Sequence, residues 1–188
     1  HIGGEHEDYY DPDFFIYNDV TTIDSDGTIA VHGYSPSVFP PTDFHTATWV
    51  DHSIIVIGNL GYPEHRVLGS TPVFRLATSS LSIDRLDTTG ESPGWIHNHS
   101  AALADDGRSI IVCGGTVWRG NSKSMIESLD SWSLDIGTGR WTRLTSLNWQ
   151  QWTMLRVDRK PNRLLDTRQE LWHREHPWPG HVSYWKFD

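Results

Sequence analysis

Apolar residues along the chain fall into two kinds of short run. In one, neighbouring positions are all apolar, as in Ile54-Ile55-Val56-Ile57 and Ile110-Ile111-Val112-Cys113. Such runs fit strands covered on both faces. In the other, polar and apolar residues alternate, as in Leu129-Asp130-Ser131-Trp132-Ser133-Leu134-Asp135 and Arg140-Trp141-Thr142-Arg143-Leu144. A period of two predicts strands with one face nearer to solvent. Asp26-Gly27, Asp106-Gly107 and Gly137-Thr138-Gly139 punctuate the runs as turns, because these residue types tolerate positive φ. No amphipathic helix of useful length is present. The pattern predicts an all-β chain.

The strands recur as a unit. Phe44-His45-Thr46-Ala47-Thr48, followed by Ser53 to Gly58, returns as Asn98-His99-Ser100-Ala101-Ala102, followed by Ser109 to Gly115. The histidines are 54 residues apart and the apolar runs 56. Each copy continues with two further strand candidates: Pro72 to Leu76 and Leu81 to Leu86 in the earlier, Leu129 to Asp135 and Arg140 to Leu144 in the later. Four strands repeated at a period of about 50 residues point to stacked β-sheet blades.

On these residues the chain resembles the kelch-repeat β-propeller family, of the kind found in the central domain of galactose oxidase. Residues 98 to 144 are similar to one kelch unit: a His-Ser-Ala first strand, an apolar second strand ending in Gly114-Gly115, Trp132 in the third, and Trp141 after the Gly-Thr-Gly turn. Residues 44 to 94 resemble the same unit, with Gly58-Asn59 in place of the double glycine. Gly3-Gly4, Tyr17 to Val20 and Thr28 to Val31 follow the order of the back part of another unit, and Trp152 to Leu155 with Asn162 to Leu165 begin a fourth. The resemblance implies one domain over 1–188, with a partial blade at 1–43, blades at 44–94 and 95–148, and a degenerate partial blade at 149–188. That makes an incomplete or irregular propeller of about three to four blades. A generic antiparallel sandwich is the alternative, but it has no reason to repeat His-[Ser/Thr]-Ala at constant spacing. An unclosed stack leaves an uncovered face and open strand edges. Truncation ranks first among the explanations, ahead of closure against a second copy and a small irregular propeller.

Composition narrows the partners. With 37% hydrophobic and 21% charged residues the chain suits a domain with its own core. Its 15 basic and 24 acidic residues give a net charge of -9, which disfavours nucleic-acid and anionic-membrane surfaces. Arg156, Arg159, Lys160, Arg163 and Arg168 are the nearest to a basic patch, interrupted by Asp158 and Asp166. No apolar run approaches the roughly 18 residues of a membrane span. The one cysteine, Cys113, excludes an internal disulfide and reads as a buried thiol, which favours a reducing, cytoplasmic compartment. Ten tryptophans suit broad sheet-on-sheet packing.

Candidate chemistry is sparse. His97 and His99 are two apart and would share one face of an extended strand, and His45 holds the position of His99 in the preceding copy, with Asp43 and Asn98 nearby. First strands line a propeller's channel, so these histidines are the nearest to a metal set. Their repeated position instead favours bonds to backbone groups between blades, and no metal or other cofactor is assigned. His173, Glu175, His176 and His181 do not form the His-Glu-x-x-His pattern. Glu5 to Asp8 with Asp11 and Asp13 read as a solvated loop in preference to a calcium site. Nucleophile elbows, phosphate loops and zinc-spaced cysteines are missing from the sequence. The copper-radical site of some kelch-like propellers needs a cysteine bonded to a tyrosine, which a buried Cys113 does not suit.

The expected function is therefore a non-catalytic module that binds a protein or peptide through its inter-strand loops. Trp118 and Arg119, in a Gly-flanked polar stretch, are the expected contact pair, joined by Tyr62 and His65 in the loop Gly61 to Arg66. Trp118 packed beneath its own loop is the competing reading. A carbohydrate-binding or metal-dependent enzyme domain with a site at the channel mouth, using His45 and His99, is the alternative function.

Overall fold

A computed structural model describes residues 1–6, 14–120 and 125–145 of the 188, all within the compact unit His1–Leu147. The expected fourth partial blade, the basic stretch and the histidines of the tail lie outside the described residues, as do Glu7, Asp8, Asp11 and Asp13. The described part is all-β, with antiparallel sheets, one parallel strand pair and a single 3-10 turn at Pro63–His65. No helix among the described residues is long and apolar enough to cross a membrane.

The chain begins with β1 (Glu5–His6) paired to β2 (Phe15–Ile16), then the hairpin β3 (Asp19–Ile23) and β4 (Ile29–Gly33). Residues 1–3 lie along the other edge of β3: Ile2 bridges Val20, and the Gly3 N–H donates to Asp19 O at 2.8 Å. The Asp26-Gly27 turn closes the hairpin, its Asp26 carboxylate accepting from Thr28 N–H.

The first repeat copy folds as a four-stranded antiparallel meander of β5 (Thr46–Val50), β6 (Ser53–Ile57), β7 (Val73–Ala77) and β8 (Ile83–Arg85). Its two faces belong to different cores. Ile55, Ile57, Val73 and Val50 enter one cluster with Ile110, Val112, Trp132, Leu134 and Trp141. Val56, Phe74, Leu76 and Ile83 enter another with Val20 and Phe39. Hence every residue from Ile55 to Ile57 is buried, as the unbroken apolar run predicts.

After β9 (Thr89–Gly90) and β10 (Trp95–His97), the second copy folds as β11 (Ser100–Leu103), β12 (Ser109–Cys113), β15 (Ser131–Asp135) and β16 (Arg140–Arg143). Among the described residues, this sheet contributes to a core on one face only. Ile110, Val112, Trp132, Leu134 and Trp141 point into the shared core, while Ile111 and Cys113 are half-buried on the other face. The expectation of a fully buried Cys113 is corrected accordingly: its Sγ sits 3.2 Å from Ser131 Oγ.

Two features depart from a simple four-strand repeat. β13 (Thr116–Trp118) and β14 (Met125–Glu127) join β10 in a separate three-stranded sheet, and β9 runs parallel to β16. The second pairing is tight enough that a Cβ on Gly90 would lie 2.5 Å from Trp141 O.

Candidate functional site

Two places gather the residues singled out by sequence. The first is the end where the connections after β6, before β10 and after β13 meet. Asp43 organises it: its N–H donates to Asn59 Oδ1 at 3.0 Å, and its Oδ1 accepts from Gly61 N–H at 2.7 Å. Arg66 turns back to donate to Leu60 O and Gly61 O at 2.9 and 3.0 Å, and Trp95 Nε1 donates to the same Leu60 carbonyl at 3.1 Å. The loop is thus anchored from beneath, and its outer residues Glu64, His65, Val67 and Leu68 face solvent.

Tyr62 is partly structural. Its hydroxyl accepts from Ile16 N–H at 3.0 Å, and its ring meets Phe14 edge-on at 6.3 Å and His65 at 6.2 Å. Arg119 is exposed. Trp118 is not in a loop as expected; it ends β13 and pairs across the sheet with Trp95. Phe14, Phe15, Val67 and Leu68, which no motif marked, are 47%, 51%, 54% and 63% exposed. The adjacent pair Phe14-Phe15 beside an acidic stretch was the available signal.

The second place is the seam between the two four-strand meanders, where β5 and β11 lie side by side. His97 and His99 do not share a strand face. Asn98 takes a left-handed turn at φ 53°, ending β10 and offsetting β11, and Phe44 does the same at φ 48° at the equivalent position of the earlier copy. Asn98 N–H donates to Phe44 O at 2.9 Å, so the two kinks are bonded to each other.

Thr46 Oγ1 lies 2.8 Å from His99 Nε2, a contact between the copies as the repeated position implied, though to a side chain and not to backbone. His97 and His99 are 7% and 8% exposed. Both ring nitrogens of His97, Nδ1 of His99 and of His45, and Oδ2 of Asp43 are buried without a hydrogen-bond partner among the described residues. Desolvation pulls the three imidazoles from 6.5 down to about 4, assisted by the Arg66 charge at His97 and by the neighbouring rings at His99. Burial raises the Asp43 pKa, opposed by the Gly61 N–H bond and by Arg66. Among the described residues no three His, Cys, Asp or Glu side chains are arranged to hold a metal ion.

No protein-family model matches the chain, and no curated protein matches it either.

Proposed function

We propose that this chain is a kelch-type propeller segment that acts as a non-catalytic binding module, taking a protein or peptide on the loop end built around Tyr62. The observation that carries this reading is the set of half-exposed apolar side chains: Phe14 and Phe15 at the start of β2, and Val67 and Leu68 on the loop fastened from below by Asp43, Arg66 and Tyr62. Exposed apolar groups on a pre-ordered surface favour association, because little entropy is lost in fixing them. Arg119 adds a charge of the type enriched at such contacts. The kelch-like reading is supported by two matching four-strand meanders stacked face to face with their first strands adjacent. Burial of His97 and His99 favours a packing role for them over an open sugar or metal site.

A displayed-peptide library selected on the wild-type chain tests this. Enriched peptides should lose at least tenfold in affinity for a Phe15→Ser/Leu68→Ser variant whose thermal unfolding is unchanged. Peptides that bind both proteins equally, or a library with no enrichment, would refute the loop end as the binding surface.

A further inference from the structure

The peptide His97-Asn98-His99 is threaded between the two complete sheets. On one side it meets Gly58, where a Cβ would come within 2.5 Å of both His99 Cε1 and Ile96 O. On the other it meets Gly115, where a Cβ would lie 2.7 Å from His99 Cβ. Backbone bonds cross the seam from Asn59 N–H to Ile96 O and from Asn98 N–H to Phe44 O, each 2.9 Å. Two glycines thus let backbone close around the rings and leave them little space to turn outward.

The charged and titratable groups facing the rings are few. His45, in the segment leading into β5, and His97 lie close enough for their charges to act on His99, and Arg66, after the 3-10 turn, acts on His97 and on Asp43. Arg66 directs its donors to carbonyls and its charge opposes a second cation at His97. Asp43 has one oxygen taken by Gly61 N–H. Among the described residues, no acceptor bonds the bare nitrogens of His97 or Nδ1 of His99.

We propose that this seam is an acid-sensitive latch, in which protonation of His97 and His99 parts β5 from β11 while each sheet keeps its own ladder. The rings are held neutral well below the 6.5 of a free imidazole. A depressed pKa in the closed form means the open form binds more protons as pH falls from about 6.5 towards 4, so closure is complete above that window and is lost through it. Below the window the difference no longer grows.

Amide hydrogen exchange at pH 7.5 and 5.5, corrected for intrinsic rates, reads the latch directly. Protection at Asn59 and Asn98 should fall by about tenfold or more, since one pH unit below a ring's free pKa is worth about tenfold per ring. Amides within β6 and β12, which exchange only when the sheet itself opens, should stay more protected than Asn59 and Asn98 at pH 5.5. His97→Gln should reduce the pH-dependent loss at Asn98. Should that variant fail to fold, the ring titrations of the unsubstituted chain by NMR decide: His97 and His99 remaining neutral in the closed form at pH 5.5 is the expected result. Seam amides as strongly protected as those of the strands at pH 5.5, or rings that protonate near pH 6.5 with the seam still protected, would overturn the proposal.

Discussion

Replacing Gly58 with alanine tests the packing of the seam quantitatively. Gly58 sits at φ +78°, and its added Cβ would meet His99 Cε1 and Ile96 O at 2.5 Å, well inside contact distance. The left-handed backbone costs an L-residue about 1–2 kcal/mol, and forcing a methyl into packed surroundings adds about 1–3 kcal/mol. The expected loss is about 2–5 kcal/mol, a large fraction of the roughly 5–15 kcal/mol that holds a domain together. Gly27 supplies the control: at φ +86° it shares the backbone term, but a Cβ there meets nothing within 4 Å. Gly27→Ala should lose only about 1–2 kcal/mol, and the gain from a stiffer unfolded chain is common to both variants and cancels. Urea unfolding followed by tryptophan fluorescence gives the difference, provided the m-values agree. Equal losses in the two variants would refute the claim that the glycine is required by the histidine seam.

Other expectations follow from the same packing. Trp141, 2% exposed in the shared core, should cost about 3–5 kcal/mol when cut to alanine; because its Nε1 is buried without a partner among the described residues, Trp141→Phe should cost less than half as much in the same unfolding assay. Acidification from pH 7.5 to 5.5 should lower global stability by about 1.4 kcal/mol for each of His97 and His99 if unfolding frees both rings; a flat profile over that range would contradict their depressed pKa values. β4 exposes Ile29 and Val31 by 64% and 63%, and the bonds from Tyr34 N–H to Asn18 O and from Asp24 N–H to Thr28 O place the odd-numbered backbone groups of that strand on its outer edge. Val31→Lys should therefore reduce concentration-dependent association in sedimentation velocity, and unchanged sedimentation of a self-associating chain would exclude this edge.

The strands of the two repeat copies were legible because each couples a period-two or all-apolar pattern to a turn with its own chemistry, such as Asp106-Gly107, whose carboxylate accepts from Arg108 and Ser109 N–H. The sheet of β10, β13 and β14 was not. It pairs three-residue strands across about twenty positions, too short to carry a period, and that is why Trp118 read as a loop residue. The kink before each seam histidine was equally silent: nothing about Phe44 announces positive φ, which aromatic residues seldom adopt. Burial of His97 and His99 depends on Gly58 and Gly115 approaching from distant parts of the chain. The sequence displayed the glycines but not what they approach.

The parallel pairing of β9 with β16 has a mechanical consequence. Thr89 N–H donates to Gly139 O at 2.9 Å, and the Gly90 backbone rests against Trp141, so the chain leaving the first meander is fastened to the far strand of the second. The two sheets are therefore joined at both ends of their strand order. If the inner attachment lets go first, the outer one becomes the pivot, and the sheets would swing apart like a book on its spine rather than drift free.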